Sequence, residues 1–467
     1  MACNIQKELA RIELGDQRRN ARVGKLVARM AESPEKSLRA ACSGWAEAMA
    51  GYRLLDNEEI DPQKIIAAHR QATMERANQC QSLLLVQDTT ELDYSTHKAL
   101  RESGPLSDTS RRGFFLHSHL LIAEEQALVL GVCKTQSWAR EDDEHGKSKL
   151  RKQLPIEQKE TVRWLRGYED ACELAGQLPG RQIIMIADRE GDIYELYTRW
   201  QELECASAGR ADFIVRADDR ALAEGGMLIK TMASAPLLGS YQVQIDHKEQ
   251  MVKVKGNRQR RLREGRLATL EVRAARVCLR PPWRLGLKLP KVELTAVLVC
   301  EKEPPPGQKP IQWLILSSLE AQTMIQAERI VRAYTLRWLI EVYHHVLKSG
   351  CRIEALLLRK GRAILAALAL YCVVAWRILY LRDLSRSCGE LAASCFFSEA
   401  EWRSLCLIFK RAPARAPPAL RELTLLVAQL GGYAARRNDP DPGAECLWRG
   451  MEKLHCYVEM GQALGAL

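Results

Sequence analysis

The sequence lacks the segments that mark secreted, membrane-anchored and zinc-stabilised proteins. Residues 1–8 contain no apolar run, so we expect no signal peptide. The longest apolar run, residues 363–376, has 14 residues, whereas a membrane span needs about 20. We therefore interpret this run as a buried helix and expect no membrane partner. The 15 cysteines include no Cys-x-x-Cys pair, which argues against a structural zinc site and is typical of reduced thiols in the cytoplasm, the expected location.

Acidic residues are almost absent from one stretch of the chain, residues 253–291. The 467 residues, 47% hydrophobic and 27% charged, exclude wholesale disorder and predict two or three domains. The stretch holds 13 basic residues against Glu264 and Glu271, which is 13 − 2 = +11, equal to the formal net charge of the whole chain. Such an excess indicates either a polyanionic partner or a solvated basic face, and charge alone does not decide between them.

The first 75 residues have helical patterns and few strand signals. Asp16 can cap a helix over residues 17–31, because its carboxylate can accept the free amide protons of the first turn. A second helix is predicted over residues 38–55. In the first helix, basic residues recur every three or four positions and so share one face: Arg18, Arg22, Lys25 and Arg29.

After residue 75 the pattern becomes that of a mixed α/β protein. Apolar runs of strand length occur both before and after the helical segment at residues 156–178, which favours a sheet flanked by helices. The predicted strands are 82–88, 114–122, 127–133, 182–188, 213–216 and 312–317. The β-rich residues 239–301 carry the basic stretch and are interpreted as an inserted sheet. The predicted helices are 156–178, a long helix over 324–350, the buried helix that contains residues 363–376, and a helical tail over 419–467.

Two of the apolar runs end on an aspartate, Asp88 and Asp188. At a strand end of an open α/β sheet, side chains face the crevice where ligands bind. One such aspartate is more often a cap or a turn residue, but two are better evidence for a site. We interpret the acidic residues nearby as caps and surface charges: Glu91, Asp93, Glu190 and Asp192.

A stripe of functional side chains follows on the long predicted helix. Tyr334, Arg337, Glu341 and Lys348 are spaced at offsets 0, 3, 7 and 14, which at about 100° per residue places them in one arc roughly 60° wide. The stripe has two readings. It is either a salt-bridged surface, or part of a site in which three carboxylates hold two divalent ions while the cations bind phosphates.

Four patches of the sequence together carry a family resemblance: Leu14-Gly-Asp16 with the arginines that follow, Asp88-Thr-Thr90, Asp188-Arg-Glu-Gly-Asp192, and Tyr334-x2-Arg337-x3-Glu341-x6-Lys348. In these residues the chain resembles the bacterial DDE transposases of the insertion-sequence-four family, most closely those of the transposon-five type. Further matching segments are Arg112 to Ser118, Trp313 at 21 residues before Tyr334, Leu430-Gly-Gly432 and Leu447-Trp-Arg-Gly450.

The resemblance implies an RNase H-like catalytic core with a β-rich insertion, flanked by helical domains. It divides the chain into a DNA-binding domain (1–75), the first part of the core (76–238), the basic insertion (239–305), the second part of the core (306–385) and a dimerisation region (386–467). It also implies cut-and-paste transposition at terminal inverted repeats. Asp88, Asp188 and Glu341 would be the catalytic residues and would bind Mg²⁺, for which Mn²⁺ can substitute. The steps would be strand nicking, hairpin formation and strand transfer by a homodimer in a synaptic complex with double-stranded DNA.

The same resemblance implies which other residues contact DNA. In the N-terminal domain these are Arg18, Arg19, Arg22 and Glu47; in the core they are Arg216, Trp313, Tyr334, Arg337 and Lys348. Trp313 would hold a flipped base, and Tyr334, Arg337 and Lys348 would contact phosphates of the transposon end. Arg216 would lie near the active site, and Glu47 would be a DNA-reading glutamate. His345 departs from the pattern, because the family relative has lysine there; the charge at that contact would therefore depend on pH.

Two other functions remain as alternatives. One is a catalytically inactive, transposase-derived DNA-binding regulator, which the presence of all three carboxylates argues against. The other is a di-metal oxidase bundle, because Glu341-x-x-His344 and Glu452-x-x-His455 are two Glu-x-x-His motifs. The strand signals between residues 82 and 300 argue against a bundle.

Overall fold

The computed structural model describes residues 5–142, 154–203, 209–245, 248–254, 257–263, 265–283, 288–306, 308, 310–411, 415–437 and 439–465, with the backbone alone for residues 6, 248–254 and 257–263. The helices are α1 (Ile5–Glu8), α2 (Gln17–Glu32), α3 (Leu38–Ala41), α4 (Trp45–Leu55), α5 (Pro62–Ala77), α6 (Val162–Gln177), α7 (Tyr194–Glu202), α8 (Leu228–Ala233), α9 (Met324–Thr335), α10 (Trp338–His345), α11 (Gly361–Ser387), α12 (Glu399–Ile408), α13 (Leu420–Leu430) and α14 (Ala444–Ala463).

The strands are β1 (Ser82–Asp93), β2 (Gly104–Pro105), β3 (Arg112–Ala123), β4 (Leu128–Trp138), β5 (Gln182–Ala187), β6 (Asp212–Arg216), β7 (Leu237–Ile245), β8 (Lys248–Val254), β9 (Asn257–Arg263), β10 (Arg266–Leu279), β11 (Val292–Lys302) and β12 (Gln312–Ser317). The predicted mixed α/β content is therefore confirmed.

The chain packs as two compact units, each assembled from separate segments. Unit 1 comprises Met1–Ser148, Gly180–Gln182 and Arg337–Leu467; unit 2 comprises Lys149–Pro179 and Ile183–Leu336. Unit 1 thus combines the N-terminal helices with part of the predicted core and with the C-terminal helices. The five domain ranges expected from the sequence remain predictions.

Unit 1 is built on an antiparallel sheet in which β3 pairs with β1, β2 and β4. Helices α5 and α11 pack on β4. The apolar helix predicted over residues 363–376 is confirmed within α11, where the indole nitrogen of Trp376 donates to the carbonyl of Val129 at 3.0 Å. By length and composition α11 could cross a membrane, but 83% of its most apolar window is buried inside the protein.

The N-terminal helices of unit 1 match the prediction in part. Asp16 caps α2, accepting from the amide of Arg18 at 2.7 Å. The single helix expected over residues 38–55 is two helices, α3 and α4. The helix is interrupted at Ser43 and Gly44, because Gly44 adopts an extended conformation and the Ser43 amide donates to the Glu47 carboxylate at 2.6 Å.

Unit 2 is built on a mixed sheet that begins with the parallel pair β5 and β6. It continues through antiparallel pairs in the order β6, β12, β11, β10 and β7. The expectation of a separate inserted sheet is therefore wrong: the insertion strands extend the sheet that contains β6. The reason is the pairing of β11 with β12, in which Thr295–Cys300 lie opposite Gln312–Ser317. A separate hairpin, β8 with β9, holds part of the basic stretch.

The long helix expected over residues 324–350 consists of three parts: α9, α10 and a π-helical turn at Val346–Gly350. Between α9 and α10 the backbone tightens, since the Leu336 amide bonds the Ala333 carbonyl and the Ile340 amide bonds that of Arg337. The segment is therefore not the uniform α-helix for which the 60° arc was calculated. Interruptions of this kind often lie at functional sites.

Candidate active site

Asp88 lies within β1, not at a strand end, so the strand-end argument was wrong for this residue. The strand continues to Asp93, because β3 provides partners as far as Gly113. What changes at Asp88 is burial: Leu83 to Gln87 are fully buried, and the Asp88 side chain is 18% exposed. The carboxylate is thus anchored by the strand and open on one side.

Glu341 is held next to β1 by the neighbouring turn of α10. His344, three residues later, is buried, and its Nε2 lies 3.3 Å from the hydroxyl oxygen of Ser118. Ser118 is the β3 residue opposite Asp88. Burial, together with the positive charges of Lys348 and Arg337, lowers the pKa of His344 to about 3, so the imidazole is neutral and serves as an anchor for the helix.

Arg337 joins Asp88 and Glu341. Its Nη1 donates to Asp88 Oδ2 at 3.3 Å, and its Nη2 donates to Glu341 Oε1. The Arg337 side chain is only 15% exposed and Glu341 is 32% exposed. Two of the three predicted catalytic carboxylates therefore converge on one guanidinium, although their residues are separated by more than 250 positions in the chain.

Asp188 belongs to unit 2 and directly follows β5, as the strand-end argument predicted. Its Oδ1 accepts from the Glu190 amide at 2.9 Å and opens a short helical turn, Arg189–Gly191. The turn packs tightly, since a Cβ on Gly191 would lie 2.4 Å from the Cβ of Ala187. The position of the Asp188 carboxylate therefore depends on glycine three residues later.

The acidic residues interpreted as caps and surface charges all have structural partners. Glu190 pairs with Arg163 at 2.6 Å. Glu91 accepts from Arg111, and Asp93 caps the turn at Ser95. Asp192 does more than predicted: it is 2% exposed, pairs with Arg220 at 2.7 Å and accepts from the Tyr197 hydroxyl at 2.6 Å. No spacing in the sequence signals this buried cluster, because Arg220 is 28 residues away.

Unit 2 also gathers three of the predicted DNA contacts. Trp313 and Ile315 lie on the same face of β12, and Ile315 is directly opposite Arg216 in β6. The Trp313 ring meets the Tyr334 ring edge to face, with centroids 5.9 Å apart. The Nε of Arg216 is buried and has no hydrogen-bond partner among the described residues. Most buried polar groups of a folded protein have a hydrogen-bond partner.

The remaining residues of the predicted stripe lie in unit 1. Lys348 is half-buried in the π-helical turn, and its charge contributes to the low pKa of His344. His345 is exposed, with Nδ1 3.3 Å from the Ser349 hydroxyl. The second Glu-x-x-His motif forms surface ion pairs, Glu452 with Lys36 and His455 with Glu459. These pairs contradict the di-metal bundle.

The donor chemistry at Asp88 and Glu341 fits a hard divalent cation. Mg²⁺ and Mn²⁺ prefer carboxylate oxygens, and these two carboxylates already converge on a positive group. Asp188, in unit 2, has one carboxylate oxygen engaged by a backbone amide.

The basic face of α2 lines a groove with Glu47. The groove has a volume of about 530 Å³ and is lined by Arg18, Arg22, Lys25, Arg29 and Glu47, among others. Hydrogen bonds from Ser43, together with the charge of Arg29, hold the pKa of the Glu47 carboxyl below its usual range despite partial burial. Arg19 does not line this groove; its Nη1 donates to the Leu14 carbonyl at 3.2 Å and so supports the loop before α2. Its contact with DNA stays a prediction.

Part of the basic stretch is used by the fold. Arg266 forms a two-pronged pair with Glu301, at 2.8 and 2.9 Å, and Glu301 is almost fully buried. Arg273 donates to the Ala235 carbonyl at 2.7 Å. Arg276, Arg280, Lys288 and Lys291 are exposed. The predicted residues Lys255, Glu264 and Arg284, and the side chains of Lys253, Arg258, Arg260, Arg261 and Arg263, lie outside the described part.

Three family models match the chain. The first is a transposase DNA-binding domain over residues 2–60, the second a transposase DDE domain over residues 134–377, and the third a Tn5 transposase dimerisation domain over residues 373–464. The DDE match covers more than half of the chain and includes Asp188 and Glu341, whereas Asp88 precedes it.

These matches and the fold define a DNA transposase of the DDE class, with an RNase H-like core flanked by helical regions. The chain belongs to the DDE transposase family and is related to the Tn5 and insertion-sequence-four transposases. Its DNA-binding and dimerisation regions support DNA as its partner and a homodimer as its assembly.

Proposed function

We propose that the protein is a cut-and-paste transposase that binds terminal inverted repeats, nicks one strand, forms a hairpin with the new 3′-hydroxyl and joins the freed ends to target DNA. The observation that best supports catalysis, as opposed to binding alone, is the convergence of Asp88 and Glu341 on Arg337. A purely binding derivative has no need to hold two half-buried carboxylates side by side.

In this proposal Asp88, Asp188 and Glu341 hold Mg²⁺, with Mn²⁺ as a substitute. The bound ions would supply positive charge at the attacking and leaving oxygens of the phosphodiester. Arg337 and Lys348 bind backbone phosphates, Trp313 stacks on a flipped base, and Tyr334 supports the Trp313 ring through their edge-to-face contact. Arg216 offers its unpaired donor to DNA near the strand end.

We propose that the groove of α2 binds the end repeats, in the cytoplasm where bacterial DNA lies. Arg18 and Arg22 contact phosphates, and Glu47, fixed by Ser43 and Arg29, accepts a hydrogen bond from a base. The homodimer would bring two ends together in one synaptic complex.

The test is cleavage of a DNA duplex that carries one end of the transposon (here called the element), in the presence of Mg²⁺ or Mn²⁺. Asp88→Ala, Asp188→Ala and Glu341→Ala should each abolish nicking while end binding is retained. Glu190→Ala is the matched control, because it removes an acid from the same motif as Asp188 that pairs only with Arg163 among the described residues. Nicking by any one of the three variants would remove that residue from the site.

The alternative is a transposase-derived regulator that binds the ends without cutting them. Specific binding by the wild-type protein with no cleavage under either metal would favour it.

A further inference from the structure

The contact between Arg337 and the carboxylates of Asp88 and Glu341 indicates a second role for Arg337, besides phosphate binding. We infer that Arg337 is a placeholder for the divalent cation: its guanidinium neutralises Asp88 and Glu341 before cation and DNA arrive, and then moves to a phosphate of the DNA end. The inference rests on the proposed role of Asp88 and Glu341 as metal ligands. It adds a role for Arg337 that phosphate binding alone does not include.

The contacts of Arg337 go beyond those of an ordinary ion pair within a helix. Arg337 and Glu341 are four residues apart, a spacing at which a simple helical ion pair forms. The second prong of the guanidinium, however, reaches Asp88 in β1 at 3.3 Å. The guanidinium therefore joins carboxylates from two different elements.

The charges of Asp88 and Glu341 need a cation between them. Two carboxylates that share a half-buried site destabilise each other unless a cation lies between them. Arg337 supplies one positive charge against the two negative ones of this pair. A divalent cation would bring the pair to neutrality by itself, so that the guanidinium would then be an excess positive charge held against another cation. Repulsion would favour its departure.

A phosphate of the DNA end is a second binding partner for the Arg337 guanidinium. Its forked donors match a phosphate as well as a carboxylate. Lys348, in the π-helical turn that follows α10, is a second cation on the same helical segment. His344 is neutral and buried, and hence cannot replace Arg337 between the carboxylates.

A coupling between cation and DNA follows. If phosphate draws Arg337 away from Asp88 and Glu341, the DNA end must tighten cation binding, and by reciprocity the cation must tighten binding of the end. A permanent structural ion pair would produce no such coupling through Arg337.

The experiment measures Mn²⁺ binding to the full chain by the electron paramagnetic resonance signal of free Mn²⁺, with and without a short duplex of the element's end. Without DNA, Arg337→Gln should bind Mn²⁺ at least about fivefold more tightly than wild type, the lower range of typical site couplings. The duplex should tighten Mn²⁺ binding to wild type and leave Arg337→Gln unchanged. Arg337→Lys keeps one charge but cannot span both carboxylates. Its Mn²⁺ affinity without DNA should therefore lie between those of wild type and Arg337→Gln.

Arg362→Gln is the matched control, because Arg362 also pairs with two carboxylates from another element, Asp56 and Glu58, away from the site. Its Mn²⁺ affinity should equal that of wild type. If Arg337→Gln does not fold, Arg337→Lys carries the test. Equal Mn²⁺ affinity in wild type and the Arg337 variant, with the DNA effect intact, would overturn the inference.

Asp88→Asn and Glu341→Gln separate this failure from failure of the proposed function. If both bind Mn²⁺ like wild type, the carboxylates are not metal ligands and the proposed site is wrong. If both lose Mn²⁺ while the Arg337 variants match wild type, the site stands and the placeholder role alone is wrong.

Discussion

His344 on α10 and Ser118 on β3 are in hydrogen-bond contact at 3.3 Å, directly beside the strand position of Asp88. Through this contact the helix that carries Glu341 is fixed to the sheet that carries Asp88. The relative position of the two carboxylates thus depends on two residues that belong to neither the triad nor the Tyr-Arg-Glu-Lys stripe.

We therefore predict that Ser118→Ala slows cleavage more than it weakens end binding. Loss of the hydroxyl leaves the buried His344 nitrogen without this partner, at a cost of about 1–3 kcal/mol in the free energy of unfolding, and loosens α10. Nicking rate and end affinity are measured on the same preparations. Ser404→Ala is the control, because Ser404 is equally buried and its hydroxyl has no partner among the described residues. A parallel fall in both quantities would contradict a positioning role.

Gly191 allows a prediction for the second aspartate. Gly191→Ala places a methyl group 2.4 Å from the Ala187 side chain and 3.2 Å from the Trp164 ring. The overpacking should cost about 1–3 kcal/mol and displace the turn that Asp188 caps, so that cleavage is reduced beyond the loss of stability. Both are measured, by urea unfolding and by nicking under conditions where the protein stays folded.

Gly176→Ala is the opposite case and serves as the control. Gly176 lies in α6 with no atom within 4 Å of the added methyl group. The substitution should stabilise the protein by about 0.4–1 kcal/mol, because alanine favours the helix and restricts the unfolded chain, and should leave cleavage unchanged.

The two aspartates show what the sequence can and cannot reveal. Asp188 was placed correctly because β5 loses both its apolar pattern and its partner at the same residue. At Asp88 only the burial changes, while pairing with β3 continues to Asp93. The end of burial and the end of strand pairing both appear in the sequence as the end of an apolar run. The sequence therefore could not show which of the two occurs at Asp88.

The contacts of Arg337 show a second limit. The four-residue spacing to Glu341 makes that pair visible in the sequence. The pair with Asp88 spans 249 positions and depends on the packing of α10 against β1, which no local pattern encodes. The break in the long helix was hidden for a related reason, since an apolar period of 3.6 persists through a short tightening of the backbone.

A buried acid ties the N-terminus to the core and predicts a pH dependence. Glu8 Oε1 lies 2.9 Å from His69 Nδ1 and 2.7 Å from Arg76 Nη2. Burial acts to raise the pKa of Glu8, but the bonds and charges of His69 and Arg76 outweigh it and lower the pKa to about 2. Because the folded pKa lies below the unfolded value, the stabilisation is complete above about pH 4.5 and is lost as pH falls toward 2.

Glu8→Gln should therefore destabilise the protein at neutral pH by about 3–5 kcal/mol, the cost of removing one partner of a buried pair. The difference from wild type should shrink between pH 4.5 and pH 2. Urea midpoints across this range provide the measurement, and Glu13→Gln on the exposed side of the same segment is the control. A difference that does not change with pH would indicate packing, not ionisation.

The C-terminal helix offers a face for the homodimer. Tyr457, Met460 and Leu464 at the end of α14 are exposed apolar residues at helical spacing. Met460→Glu should weaken dimer formation on the DNA end, because it buries a charge in the contact. Light scattering of the protein with the end duplex measures this, and Gln462→Glu adds the same charge on another side of the helix. If the complexes of Met460→Glu and Gln462→Glu with the end duplex have equal masses, the dimer interface lies elsewhere.

Exposed and paired arginines of the basic stretch should behave differently. Arg276, Arg280 and Lys288 are exposed, and replacing all three with serine should weaken binding to any DNA sequence. The salt dependence should flatten by up to about 2.7 in the slope of log affinity against log salt, at about 0.9 per phosphate contact. Arg266→Ser should instead lower the unfolding temperature, because it removes the guanidinium that pairs with the buried Glu301 carboxylate, and should leave the slope unchanged. If the triple variant lost affinity for the element's end alone, this region would read sequence and would not act as a general backbone clamp.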